Sequence, residues 1–555
     1  MLTQRWIATC VAVVTILSLL AACGPAPTPQ ATQEAPEATP TLEQEVQITP
    51  TPTGPRQGGT LIVAITADIN FNPIVARGPN TSYVQSTIFS GLLRPDKETM
   101  EPVPDLAETW ETSEDGLTWT FHLRDDVKWH DGEAFTAADV KFFYDEGVFN
   151  EEVNSRIRPQ LVNVLQAVEV VDDYTVRFVL TEPYAALPTV LADIHLMVPK
   201  HILEGKDLNT YDDFNMANPV GTGPFKLQEA VPGDHYTVVA NEDYYGGRPY
   251  LDSIVFKVVP DPNVRIAQLK TGEVDLNIIS PANLAALAAE HDILIDYLDK
   301  IQFYGIYLNS ARSPFDDTGV RQAMTYALDR EAINDAVSGG VWPIATGHIH
   351  PRLAWAYDSD IQPIPYDPDK AKELLAEAGW TDSDGDGILD KGGSPFKFVM
   401  TVDVEPLRNQ VAIIAQQYYQ DLGMEVELEV MEWATLVSDR YFSNNYDALV
   451  IYQTNAPDPA IMSEIFVTNG TNNRWNYSNP ELDELIAEGR KELDRDRRAE
   501  IYYRTQEITA IEDPPLVFLF YPQEMRAYSQ DLKGLPPGLD YQYSWRFVSE
   551  WWLDR

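Results

Sequence analysis

Apolar positions recur with two different periods along most of the chain, and together they predict alternating strands and helices. Residues 61–66 (LIVAIT) form an unbroken apolar run, which predicts a strand covered on both faces. Leu117, Trp119, Phe121 and Leu123 alternate with Thr118, Thr120, His122 and Arg124, the period of a strand with one face covered. Thr136 and Asp139 form a capping box that opens a helix through Val140, Phe143 and Tyr144. Residues 168–180 predict a hairpin turning at Asp172-Asp173, 251–259 a further strand, and 263–270 a helix that stops near Gly272.

The second half continues the mixture. Residues 319–337 read as one helix with Val320, Met324, Ala327 and Leu328 on one face. Asp367-Pro368 starts a helix that packs Leu374, Leu375 and Ala378 and ends at Gly379. A helix over 408–422 runs into a strand over 424–430, and a polar helix covers roughly 479–511. No repeat of about 20–50 residues is present, so the pattern predicts a mixed α/β body of at least two lobes.

The start of the chain is different. Arg5 precedes an apolar run over 6–20, and Leu20-Ala21-Ala22-Cys23 follows, the layout of a secretory signal too short for the ~20 residues of a comfortable bilayer span. The Leu-Ala-Ala-Cys stretch resembles the bacterial lipoprotein processing box. That implies cleavage of residues 1–22 and acylation of Cys23, with an uncleaved anchor as the alternative. The other cysteine, Cys10, lies within the removed segment, so the mature chain would hold no disulfide. Residues 23–57 hold eight prolines between Gly24 and Gln57 and almost no large apolar side chain. They read as a spacer reaching between ~30 and ~100 Å. The folded body is therefore expected outside the cytoplasm, on a lipid tether.

Composition narrows the partners. Against 40 Lys and Arg stand 85 Asp and Glu, a formal net charge of −45, which opposes any phosphate backbone and excludes nucleic acid as an expected partner. With 44% hydrophobic residues in 555, the chain buries a large core and is not intrinsically disordered.

Six stretches in order carry a resemblance: 105–139 (DLAETWETSEDGLTWTFHLRDDVKWHDGEAFTAAD), 221–225 (GTGPF), 241–249 (NEDYYGGRP), 320–331 (VRQAMTYALDRE), 366–380 (YDPDKAKELLAEAGW) and 477–485 (YSNPELDEL). Together they resemble the family 5 extracellular solute-binding proteins, the peptide and nickel class of receptors that feed ABC importers. The resemblance implies an α/β, two-lobed periplasmic-binding-protein type II fold with an extra subdomain in the first lobe. Lobe 1 is expected over 58–305 with a return over 520–555, and lobe 2 over 306–519, with crossings near 301–309 and 514–528. The implied function is capture of a solute, most readily an oligopeptide, by a monomer that hands it to permease subunits in the membrane. A ligand-sensing lipoprotein, a binder of a sugar or other solute, and a secreted hydrolase are the alternatives. No HExxH, GxSxG or phosphate-loop motif appears, which counts against the hydrolase.

The resemblance also points to ligand residues. In peptide-binding members an aspartate after the strand that here covers 447–452 holds the ligand's amino terminus, and this chain has Asn455 there, with Asp458 nearby as a possible substitute or a turn cap. Tyr83 aligns with a segment that faces the cleft. Arg408 and Arg474 are candidates for a ligand carboxylate, and Trp433, Tyr452, Trp475 and Tyr477 are candidate aromatic walls or core residues. No cofactor is required. Asp382, Asp384, Asp386, Ile388 and Asp390 have the spacing of a calcium loop, with Gly387 at its turn and Gly393 where a bidentate Glu is usual. This loop is read either as a structural Ca²⁺ site or as an acidic surface loop. His348 and His350 are candidate ligands for a metal or haem cargo, or core histidines.

Overall fold

A computed structural model describes residues 54–454 and 457–555. The expected signal segment, Cys23, nearly all of the spacer and Asn455 lie outside the described residues. Among the described residues no helix is long and apolar enough to cross a membrane.

The first lobe is built on a seven-stranded sheet in the order Ile293–Asp299, Gln523–Ser529, Leu276–Ile279, Thr60–Ile65, Ser253–Val258, His235–Ala240, Phe225–Val231. Thr60–Ile65 runs parallel to its neighbour Ser253–Val258, with Leu61, Val63 and Ile65 fully enclosed, as its continuous apolar run requires. A separate four-stranded antiparallel sheet, Ala107–Thr112, Thr118–Leu123, Thr175–Leu180 and Leu165–Asp172, forms the core of the additional subdomain. Its alternation places Trp119, Phe121 and Leu123 inward and His122 outward. The capping box is present: Thr136 and Asp139 open the helix Ala137–Tyr144.

The second lobe is a five-stranded sheet, Glu425–Met431, Lys397–Asp403, Ala448–Thr454, Gln302–Leu308 and Leu516–Phe520, with apolar clusters on it. The helices Thr318–Tyr326, Pro368–Glu377 and Pro406–Asp421 bury their apolar residues in one of these clusters. Two expected helices are each divided. The 319–337 helix breaks after Tyr326, and Asp329 caps Arg330–Ser338 by accepting from the Ala332 amide. The 479–511 helix breaks between Pro480–Lys491 and Arg495–Glu507, where Asp494 caps the second piece. In each case a capping aspartate offers the backbone a local partner that ends one helical run and starts another.

The chain passes between the sheets twice. Asp299 ends a first-lobe strand and Gln302 begins a second-lobe strand, so the first crossing is Lys300-Ile301; Phe520 and Gln523 bound the second at Tyr521-Pro522. The strand Gln302–Leu308 thus lies wholly in the second lobe's sheet, which moves the lobe boundary ahead of the expected residue 305. The two crossings lie side by side, since Asp299 pairs with Gln523 and Tyr304 with Phe520. Apart from these crossings the lobes touch. Arg352 donates to the Lys97 carbonyl at 2.7 Å, the Ala185 amide to the Arg490 carbonyl at 3.0 Å, and Glu182 pairs with Arg490 and Lys491 at 3.4 and 3.5 Å.

Candidate binding cleft

A cavity of about 470 Å³ lies between the lobes, in the size range of ~300–1,000 Å³ typical of small-ligand sites. The first lobe supplies Tyr83, Arg156, Asp193, Glu524, Asp540 and Tyr543, the first crossing supplies Lys300, and Gln302 lies just beyond it at the start of the second lobe. From the second lobe come Tyr441, Gln453, Thr454 and Asn472, with Ile461 and Ile465.

Tyr83 reaches the cavity from the helix Pro79–Ile88, and the residues that fix this helix are those that carried the family resemblance. The Gly223 amide donates to the Ile88 carbonyl at 2.8 Å, and a Cβ on Gly221 would lie 1.9 Å from that same oxygen. Only glycine permits so close an approach of backbone to backbone. His130 clamps this loop: Nδ1 accepts from the Gly221 amide at 3.2 Å and Nε2 donates to the Gly223 carbonyl at 3.0 Å. Burial pushes its imidazole down to about 4, consistent with the neutral ring this pattern needs. The neighbouring Trp129 donates its indole N–H to Asp139, which also accepts from the Thr136 and Lys200 amides. The WHDG stretch at 129–132 and the GTGPF stretch therefore build the floor on which the Tyr83 helix rests, and do not line the cavity.

The charged wall is confined to the first lobe and the crossings. Burial alone would lower the Lys300 ammonium, but the Glu524 and Asp540 carboxylates outweigh it and hold it above the usual lysine range; Lys300 Nζ lies 3.5 Å from Glu524. Burial and then Glu524 push the Asp540 carboxyl up to about 6. Burial also raises Asp193, which accepts from the Tyr543 hydroxyl at 2.8 Å and from Gln160 at 3.4 Å. Arg156, lowered by burial, donates to the Ala76 carbonyl at 3.2 Å.

Of the residues singled out in the sequence, Tyr83 lines the cavity. Tyr452 lies one residue before the lining pair Gln453 and Thr454 and stacks on Trp433 with ring planes 3° apart and centroids at 5.7 Å. Arg408 sits over both rings and forms a two-pronged ion pair with Asp403, at 2.7 and 2.5 Å, so its guanidinium is committed within the second lobe. Asp458 is not open to a ligand. It accepts from Arg498 at 2.6 and 3.1 Å and from the Ala460 amide at 2.9 Å, capping the helix Pro459–Ser463. Trp475 and Tyr477 belong to the second lobe's core, where Trp475 packs on Tyr307 and Phe466 and Tyr477 donates to Asp513. Arg474 lies over Phe442 and, more distantly, over the cavity-lining Tyr441, without lining the cavity itself.

The histidines read as candidate cargo ligands are structural. His348 hydrogen-bonds Ser463 at 2.9 Å and Thr509 at 3.1 Å, and burial pushes it down to about 3. His350 accepts from the Arg352 amide at 3.1 Å and is pushed down to about 4. In the acidic loop, Asp382, Asp384 and Asp386 each offer an oxygen within 4.8 Å of the others. Asp390 turns away to Ser383, accepting from its amide at 2.9 Å and its hydroxyl at 2.6 Å, so three of the four expected carboxylates converge.

Residues 101–474 match the family described as bacterial extracellular solute-binding proteins, family 5 Middle. The chain is 32% identical over 513 residues to the oligopeptide-binding protein AppA of Bacillus subtilis (strain 168), covering 90% of this chain and 92% of the relative. It is 30% identical over 501 residues to the dipeptide-binding protein of Escherichia coli (strain K12), covering 84% and 90%. Among solved structures it is similar to AppA from Bacillus subtilis in complex with a nonapeptide, with a TM-score of 0.71 and 30% identity over 90% of this chain and all of that one. The paired lobes, the double crossing, the cleft between them and this likeness along the body converge on one assignment: the chain belongs to the family 5 bacterial extracellular solute-binding proteins.

Proposed function

We propose that this protein captures a short oligopeptide between its lobes and presents it, chemically unchanged, to the permease of an ABC importer while tethered by lipid on Cys23. The observation that carries this reading is the cavity itself. It is walled by both lobes, offers amides and hydroxyls from one side and both signs of charge from the other, and so matches a zwitterion with a polar backbone. A guest touching both lobes favours the closed form by its difference in affinity between closed and open states, and that difference is what a permease reads. The oligopeptide-binding and dipeptide-binding relatives support a peptide as the guest.

Native mass spectrometry of protein purified without denaturation, followed by thermal melts against free peptides, tests this. A bound peptide mass and a rise in melting temperature are expected, since a ligand at a hundred times its Kd contributes about 2.7 kcal/mol to stability. No bound mass and no stabilising peptide would contradict the reading. A structural Ca²⁺ at Asp382, Asp384 and Asp386 is a companion proposal supported by their convergence. The same melts run with calcium and with chelator should differ, and identical curves would dismiss it.

A further inference from the structure

We propose that the cationic amine of the ligand is held on the first lobe and its crossing, between the carboxylates of Glu524 and Asp540 and beside the hydroxyl of Tyr83, and not by the second-lobe loop. This rests on the cavity being the ligand site, as proposed above, and adds which of its walls reads charge.

Three observations lead there. First, the described second-lobe residues lining the cavity are all uncharged, and the loop position where an acid is expected is the amide Asn455. The nearby acid Asp458 is already neutralised by Arg498. Second, among the described residues the cavity wall carries three carboxylates and two cations. Asp193 has the Tyr543 hydroxyl and Gln160 as donors and faces Arg156, and Glu524 has Lys300. Among the described residues, the Asp540 carboxylate accepts one hydrogen bond, from the main-chain amide of Gln542 at 2.8 Å, and has no cation within ion-pair distance. One positive charge is therefore missing from this wall, and an ammonium supplies it.

Third, the Tyr83 side chain is 8% exposed, its ring held edge-on against Tyr541 at 4.5 Å and stacked over Trp545 at 6.3 Å. Its hydroxyl has no hydrogen-bond partner among the described residues, although the residue lines the cavity and feels the charges of Glu524 and Asp540. Facing the cavity, that hydroxyl is open to accept a hydrogen bond from a ligand. An ammonium carries three donors, one for each of these oxygens.

The groups facing Asp540 are Glu524, Lys300, Asp193, Tyr83 and Tyr543. With burial and Glu524 pushing its carboxyl up to about 6, it is neutral at lower pH and no longer attracts a cation. Affinity for an amine should therefore fall as pH drops through about 6.

Calorimetric titration of the full chain in detergent tests this with three probes: tri-alanine, N-acetyl-tri-alanine and 1,4-diaminobutane. Asp540→Asn is the informative variant, because asparagine keeps the cap on the helix Tyr541–Ser544 while removing the charge. Expected are tri-alanine binding at about pH 7.5, a loss of at least about tenfold on acetylation or in Asp540→Asn, and weakening at about pH 5 that the variant lacks. Acetylated peptide binding as tightly as free peptide, or an unchanged affinity in Asp540→Asn, overturns the proposal. If neither peptide binds but the diamine does, and only with Asp540 intact, the amine site stands and the peptide reading falls. If none of the three binds, both fall.

Discussion

An Arg498→Ala protein is expected to be about 3–5 kcal/mol less stable than the parent, the cost of leaving one partner of a buried ion pair uncompensated. Arg498 and Asp458 are 6% and 2% exposed and meet through two hydrogen bonds at 2.6 and 3.1 Å. Arg498 also donates from Nε to the Gly489 carbonyl at 2.9 Å and lies over Trp355 and Tyr502. One guanidinium thus joins three segments of the second lobe: the helix Pro459–Ser463 through its cap, Pro480–Lys491 through Gly489, and its own helix Arg495–Glu507. Removal strands a carboxylate in an enclosed site and opens the space filled by the long side chain. Denaturant unfolding checks this through the shift in midpoint. The double variant Arg498→Met with Asp458→Asn should recover a large part of the loss, because it removes both charges together. A single-variant loss below about 1 kcal/mol would mean the pair is solvated and the second lobe is packed differently.

The second large effect is expected at Gly221. An alanine there brings its Cβ to 1.9 Å from the Ile88 carbonyl oxygen, which is backbone and has no rotamer to yield. The loop or the end of the Tyr83 helix must move, at a cost of about 3 kcal/mol. The same shift carries Tyr83 out of position, so ligand affinity should fall along with stability. Gly347→Ala is the control, since its Cβ would meet only ordinary contacts at 3.9 Å from Ala510 and Gln506. Thermal melts of the two variants should therefore separate clearly, and matching curves would show that the loop has slack the structure does not display.

These two predictions show what kind of information the sequence carried. Strands with one covered face and helices opened by side-chain caps were legible, as Thr118–Leu123 and Ala137–Tyr144 show, because alternation and capping are local. The family stretches were legible too, but what they encode is scaffold. His130 and Gly221 hold a helix in place and bond each other, and Trp129 is spent on Asp139. The capping aspartates Asp329 and Asp494 were hidden inside apolar and polar runs that continue across the breaks, so two helices read as longer than they are.

The cavity's charged residues were the least legible. Arg156, Asp193, Lys300, Glu524 and Asp540 are scattered over the chain and meet because two crossings bring distant segments together. Lys300 borders the first expected crossing and Glu524 lies within the second, a signal that could have marked them. Trp475 and Tyr477, read either as walls or as core, are core. Asn473 satisfies the main chain of Val467 and Tyr477 from within, beneath the two rings. A polar residue in the sequence does not reveal whether it faces water or caps the backbone beneath an aromatic side chain.

Small-angle scattering of the full chain in detergent, with and without a peptide that raises its melting temperature, tests the central claim most directly. Two lobes on a double crossing should close over the guest, so the radius of gyration should fall on saturation and recover when the peptide is removed. A profile that stays the same while the peptide is demonstrably bound would contradict closure as the signal that this protein delivers.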